Sequence, residues 1–395
     1  MSSAAIYSRL RRVFPNTVNS TSSSIRSKLP AKTSISRSSQ DHQIGPLLEP
    51  KTSLSKPLQV PQIESIVANF KKSSDRDNFR RRYSQYEATV RRLANAQQFS
   101  AIKDILEHQR QYPDITKEHF VVRLIVLYGK AKMLDEAQKL FDEMPSLNCE
   151  RTVLSFNALL AACVSAKDYD KISKLLKELP EKLSIQPNVV SYNTVIKGLC
   201  EMGSLDSAVS MMDEMENNNI MPDLITFNTL LDAFYSAGRN AEAENLWCLM
   251  EKKDLVANVR SYNSRLRGFV KDNRISDAVL LTEEMEAKGV KLDTYSYNAL
   301  IKGFIDSGNL EEAKRWYGLM TENGCTPDWV TFAMLVPFAC KEEDFDYAYQ
   351  LCKQSIRVNR KVLDSVTTRV INGLIERKKH QQARKLMNLA KIEFV

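Results

Sequence analysis

The chain has 395 residues, 43% of them hydrophobic, and no apolar run long enough to cross a bilayer as a helix, so no membrane partner is expected. Its formal net charge of +8 is uneven: residues 118–350 hold 25 basic and 36 acidic side chains, and residues 351–395 hold 11 basic and 3 acidic. An acidic body with basic ends argues against a generic nucleic-acid binder that works by charge alone.

Residues 1–40 carry seven basic side chains (Arg9, Arg11, Arg12, Arg26, Lys28, Lys32 and Arg37), many serines and no acid. Such a stretch cannot bury a core of its own, and residues 5–14 can form one or two basic amphipathic turns. This predicts an organellar transit peptide cleaved near Arg37. The early arginines favour the mitochondrion over the chloroplast; a basic, RNA-binding tail is the alternative. Residues 41–81 follow as a linker. Pro46, Pro50, Pro57 and Pro61 make 41–62 extended, and "IESIVANFKK" predicts a short helix. Arg80, Arg81, Arg82, Arg91 and Arg92 form a basic patch at the entrance to the next region. It reads either as a solvated helix face or as a contact for RNA or an RNA-rich partner.

From residue 82 to the end the chain repeats itself. Copies start at 82, 118, 153, 189, 224, 259, 294, 329 and 364, with the last one cut short at Val395. Ala208, Ala243, Ala278, Ala313, Ala348 and Ala383 recur 35 residues apart, and Ala137 and Ala101 continue the frame backwards. The copy from 153 to 188 holds one extra residue. Within a copy the apolar period is helical: Val190, Tyr192, Val195, Ile196 and Leu199 share one face. Gly203, Gly238, Asn273 and Gly308 then interrupt the pattern at matching points, as residues that tolerate a left-handed helix end. A second periodic stretch follows. Asp223, Asp293 and Asp328 are placed to cap the next first helix. Each unit is therefore helix–turn–helix, and a lone pair cannot bury its apolar face, so neighbours must stack. The expected fold is all-α: a right-handed α-solenoid of about nine such repeats.

The period of 35 and copies reading "VSYNTVIKGLCEMGSLDSAVSMMDEMENNNIMPD" closely resemble the pentatricopeptide repeat family in its pure, plant-type form. The resemblance covers about 310 residues. It implies a single-stranded RNA-binding protein of organellar gene expression. No appended catalytic extension resembles those of some family members. The four histidines (His42, His108, His119 and His380) are scattered, and no carboxylate–metal spacing is present, so no enzyme, cofactor or metal is expected. The seven cysteines (Cys149, Cys163, Cys200, Cys248, Cys325, Cys340 and Cys352) include no Cys-x-x-Cys pair and read as reduced, some as small core fillers.

Asn157, Asn193, Asn228, Asn263 and Asn298 recur in the first turn of the first helix. A buried amide is costly without partners, so a row of five calls for solvent or a ligand; simple helix initiation is the alternative. The resemblance implies that each faces one RNA base together with the residue closing its repeat. The pairs are Asn157 with Asn188, Asn193 with Asp223, Asn228 with Asn258, Asn263 with Asp293, and Asn298 with Asp328. A carboxylate accepts the N3–H of uracil, and an amide donates to N3 of cytosine. By analogy with the family, the resemblance implies a pyrimidine run, with the amino-terminal copy at the 5′ end. The family's aliphatic residue that packs between bases is matched by Val190, Ile225 and Val330; Arg260 and Tyr295 depart but could stack. Its phosphate-reaching lysine is matched by Lys271 and Lys341, while Glu201, Ser236 and Asp306 depart. Tyr86, Val122, Ala333 and Thr368 replace the Asn in the outer copies. The track is thus short and its phosphate grip weak. "YEATVRRL", "ILEHQRQYPDITKEHF" and "LPEKLSIQPNVVSYNTVIKGLC" are also similar to small members associated with the mitochondrial ribosome. That gives an alternative: a monomeric subunit of the small ribosomal subunit held by mitochondrial rRNA and mitoribosomal proteins.

Overall fold

The computed structural model describes residues 60–360 and 362–391. The expected leader, and the linker before Val60, lie outside them. Among the described residues all regular structure is helical, and it divides into two compact units, one ending at Arg110 and one beginning at Gln111.

The first unit holds α1 (Val60–Ser74), α2 (Asp77–Arg80), α3 (Tyr83–Asn95) and α4 (Phe99–Glu107). Helix α1 begins earlier than the apolar pattern suggests. Pro61 sits in its first turn, where a missing N–H costs nothing. Phe70 packs edge-on against Phe79 and Tyr86, with ring centroids 5.3 and 4.8 Å apart. The Tyr86 hydroxyl donates to Gln109 Oε1 at 2.8 Å, and Gln109 donates in turn to Ser74 Oγ and the Ile105 carbonyl. Tyr86 therefore fills the Asn position of its copy as a buried core residue.

The second unit is a stack of eight helix pairs. They are α5 (Glu118–Lys130) and α6 (Leu134–Glu143); α7 (Val153–Ala166) and α8 (Tyr169–Leu183); α9 (Val189–Glu201) and α10 (Leu205–Asn217); α11 (Leu224–Ser236) and α12 (Asn240–Lys252); α13 (Val259–Lys271) and α14 (Ile275–Ala287); α15 (Thr294–Asp306) and α16 (Leu310–Glu322); α17 (Trp329–Lys341) and α18 (Phe345–Arg357); and α19 (Asp364–Glu376) and α20 (His380–Ala390). Their first helices start where the sequence frame starts them. Each first helix packs on its own second helix and on the first helix of the next pair. The result is an α-solenoid.

One hydrophobic core runs from Phe156 to Leu386 without a break. The alanine anchors from Ala208 to Ala383 are buried within it, which lets the paired helices approach. Successive first helices also approach closely: at Gly129 of α5 an added Cβ would lie 2.4 Å from Ala162 Cα of α7. The extra residue of the copy from 153 is absorbed by longer helices, α7 with 14 residues and α8 with 15. The turn between the two helices of a pair is left-handed at Gly203, Gly238, Asn273 and Gly308, as the pattern suggested. It is equally left-handed at Lys132, Lys167, Glu343 and Lys378. The same backbone thus forms in copies whose sequence gives no sign of it, held by hydrogen bonds such as that from Asp168 N to the Cys163 carbonyl, 3.0 Å. Burial pushes the thiol of Cys163 up to about 11 and that of Cys200 up to about 12, as expected of fillers.

Candidate nucleic-acid interface

The first helices from α9 to α17 begin in the same way. Asn188, Asp223, Asn258, Asp293 and Asp328 are N-caps, and each forms a capping box with Ser191, Thr226, Ser261, Ser296 or Thr331. The side-chain Oδ1 accepts the third-residue N–H at 2.9 to 3.2 Å. Thr152 caps α7 instead, and its N–H and hydroxyl donate to Glu118 Oε1 from the preceding copy at 2.8 and 2.9 Å.

These caps bind the asparagine row. Asn157 Nδ2 donates to Asn188 Oδ1 at 3.2 Å, Asn193 to Asp223 at 3.0 Å, Asn228 to Asn258 at 3.4 Å, Asn263 to Asp293 at 3.0 Å, and Asn298 to Asp328 at 3.2 Å. The members of every pair named from the sequence are thus in contact. On the other side of the row, the hydroxyls of Ser191, Thr226, Ser296 and Thr331 donate to the amide oxygens of Asn157, Asn193, Asn263 and Asn298 at 2.6 to 2.8 Å. These bonds fix the amide orientation, with oxygen toward the next helix and nitrogen toward the cap. Asn228 is the exception: Ser261 donates to Asn258 instead, and the buried Asn228 oxygen has no partner.

The row is less open than a solvent-facing amide array. Asn228, Asn263 and Asn298 are buried, and the neighbouring copy satisfies both ends of Asn263 and Asn298 but only the amide nitrogen of Asn228. The caps lie further out. Asn188 and Asn258 are exposed, and Asp223, Asp293 and Asp328 are half-buried. Because Oδ1 is committed to the helix start, the remaining atom differs by residue. An Asp leaves Oδ2, a bare acceptor with no side-chain partner; an Asn leaves its NH2, a donor. Burial opposes ionisation of Asp223. Hydrogen bonds from the Thr226 backbone, the Asn193 amide and the Thr226 hydroxyl outweigh it and hold the carboxyl below the usual aspartate range.

Beside the row stands a second one. Val190 and Ile225 are 56% and 62% exposed, and Tyr295 is 71% exposed; Arg260 is exposed and Val330 half-buried. Helical periodicity had put Val190 on the core face. It lies instead at the edge of that face, on the first turn, with nothing packed over it. Leu154, 47% exposed, belongs to this row as well. Its place as the second residue of its copy, matching Val190 and Ile225, was the available signal. Of the two lysines, Lys271 is turned onto the Ser236 carbonyl of the preceding copy. Lys341 is exposed, with its ammonium 6.0 Å from the Phe338 ring centroid. Among the described residues no group of side chains could hold a metal ion, and no helix is long and apolar enough to cross a membrane.

Comparison with known families matches this repeated junction. The model of the PPR repeat family fits residues 187–236 and 222–271, that of the pentatricopeptide repeat domain fits 139–202 and 280–341, and that of the PPR repeat fits 123–149 and 260–290. Together they cover more than half of the chain. The chain belongs to the pentatricopeptide repeat family. Curated relatives of this pentatricopeptide repeat protein include small ribosomal subunit proteins from Arabidopsis thaliana. With mS79 (rPPR3b) it is 55% identical over 152 residues, 38% of this chain and 39% of the relative. With mS78 (rPPR3a) it is 51% identical over 152 residues, 38% of each. The match thus spans under two fifths of these relatives' length. Among solved structures, the maize pentatricopeptide repeat protein PPR10 aligns with a TM-score of 0.49 at 18% identity, covering 84% of this chain and 57% of that one.

Proposed function

We propose that the second unit binds single-stranded RNA along the asparagine–cap row and acts in mitochondrial RNA metabolism or translation. The observation that supports this most directly is the cap geometry. Five consecutive junctions hold an amide beside a cap with one polar atom left over, an acceptor in three junctions and a donor in two, and in four of them a hydroxyl fixes the amide orientation. The three acceptors suit the N3–H of uracil, and the two donors suit N3 of cytosine or a pyrimidine carbonyl. Exposed Leu154, Val190, Ile225 and Tyr295 offer surfaces on which bases can stack. No catalytic step is assigned. Fluorescence anisotropy with pyrimidine and purine strands of equal length tests the reading. The pyrimidine strand should bind more tightly, and binding should weaken steeply with salt. Equal affinity for the two would sink it.

A second reading has one specific observation behind it, the identity of 51% to 55% with two small ribosomal subunit proteins. Here the chain docks on the mitochondrial ribosome, with rRNA and mitoribosomal proteins as partners. Some of the basic side chains at the two ends of the repeat region are paired within the protein. Arg81 pairs with Asp77, Arg377 with Glu343 and Lys379 with Asp346. Arg82, Arg91 and Arg92 in the first unit are exposed. Replacing these three with Gln should release the protein from ribosomes on a sucrose gradient of organelle lysate and leave pyrimidine preference intact. Co-sedimentation that survives would count against docking through this patch. Residues 1–40 fused to a fluorescent protein should reach mitochondria; a purely plastid or cytosolic signal would contradict the assigned compartment.

A further inference from the structure

The second helices flank the row of first helices, and they are not alike in charge. Helix α10 carries Asp206, Asp213, Glu214 and Glu216 and no base, and α14 carries Asp277, Glu283, Glu284 and Glu286 and no base. The sign reverses at α18 and α20, which pack against each other. Helix α20 holds Arg384 and Lys385 and no acid. The one acid of α18, Asp346, is taken by Lys379. Arg357, Arg384 and Lys385 are exposed and Lys353 is half-buried, and none of the four forms an ion pair among the described residues.

Helical spacing gathers these cations. Gln350, Lys353 and Arg357 follow one another at steps of three and four residues, so they share one side of α18. The 35-residue frame puts Lys385 of α20 at the place that Gln350 holds in α18, so its side chain faces the same way, with Arg384 beside it. Packed helices lie about 8–10 Å apart, and Lys353 and Arg357 are separated by about 6 Å along the axis. Cations so spaced can reach several phosphates of one RNA together. No phenylalanine, tyrosine or tryptophan is exposed on either helix, so unpaired bases gain no such ring to stack on. We propose that this side of α18 and α20 binds the phosphodiester backbone of double-helical RNA. A duplex turns its phosphates outward, while pairing hides its base edges from the asparagine–cap row. The acids of α10 and α14 repel it, which confines the contact to this stretch. Contacts of this kind position an RNA without reading its sequence. The site is separate from the single-strand row, and one chain can then hold a strand and a folded RNA at once.

The test uses the full chain, a labelled blunt-ended RNA duplex and an unlabelled pyrimidine strand. The parent should bind duplexes of two unrelated sequences equally, and an excess of the pyrimidine strand should not displace them. An Arg357→Gln, Arg384→Gln, Lys385→Gln variant should bind the duplex more weakly. Its plot of log affinity against log salt should flatten by about 2.7, from about 0.9 per phosphate on a double helix. The same variant should bind the pyrimidine strand as the parent does. A duplex that the parent fails to bind, that the strand displaces, or that the variant binds with the parent's affinity and slope would overturn the assignment.

Discussion

Asp223→Asn separates the two duties of a cap. Asp and Asn are equally good N-caps. The variant keeps an Oδ1 to accept the Thr226 N–H and the Asn193 amide, now 2.9 and 3.0 Å away. Its melting temperature at neutral pH should therefore move little. What it presents outward changes from a carboxylate oxygen to an NH2 group. Uracil would then meet a donor with its own N3–H, and cytosine would gain a partner for N3. A hydrogen bond to a charged group is worth about 1.5–3 kcal/mol, so the uracil-to-cytosine preference at that copy should fall roughly ten- to a hundredfold. Competition between strands differing only at that nucleotide reads this out. The pH dependence gives a second check. The Asp223 carboxyl is held low in the folded protein, so its stabilisation is complete above the unfolded aspartate value of about 3.9 and is lost as pH falls through the folded value. The variant has no such loss, so the two stability curves, close at neutral pH, should separate on acidification, with the parent falling below the variant. An unchanged base preference in a variant with intact stability would show that Asp223 is a cap and nothing more.

Three further outcomes concern the scaffold. Lys167→Gly should stabilise the protein by about 0.5–1 kcal/mol in urea unfolding, because Lys167 adopts φ 63° at an exposed turn that glycine enters without steric cost; a loss of stability would mean that the lysine side chain makes up for the strain. Ala243→Trp should cost about 1–3 kcal/mol by overpacking the contact between α11 and α12, and an unchanged melting curve would place the anchor elsewhere. Glu244→Ala should cost about 1.5–3 kcal/mol, since Glu244 accepts from Tyr235 at 2.6 Å and from Arg265 at 3.0 and 2.6 Å. Restored stability in Glu244→Ala combined with Arg265→Met would confirm that the loss comes from the arginine left unpaired.

The repeat frame was legible because each copy restates the same apolar phase, the same small anchor and the same capping residue. Helix starts at 189, 224, 259, 294 and 329 could be read to the residue for that reason. The fate of the amides could not. Asn193 is satisfied by Asp223 and Thr226, which are distant in the chain and meet it only once two copies stack. Sequence periodicity describes one helix at a time and misses bonds between helices. The same limit explains Lys271, whose spacing suits a phosphate but whose ammonium is taken by the carbonyl of Ser236 in the adjoining helix. It also explains the left-handed turns at Lys167 and Glu343, where tertiary packing imposes a conformation that the residue itself does not favour.

The shared junction has a consequence for how such a protein can change over time. A single transition in the first codon position exchanges Asp and Asn, and at a cap this exchange leaves the helix start in place. The outward-facing half of each junction is therefore free to vary almost neutrally with respect to folding. The amide it holds is not free in this way, because removing it unties two neighbouring copies. A lineage built on this solenoid could then drift from one target to another by altering caps singly, with every intermediate still folded.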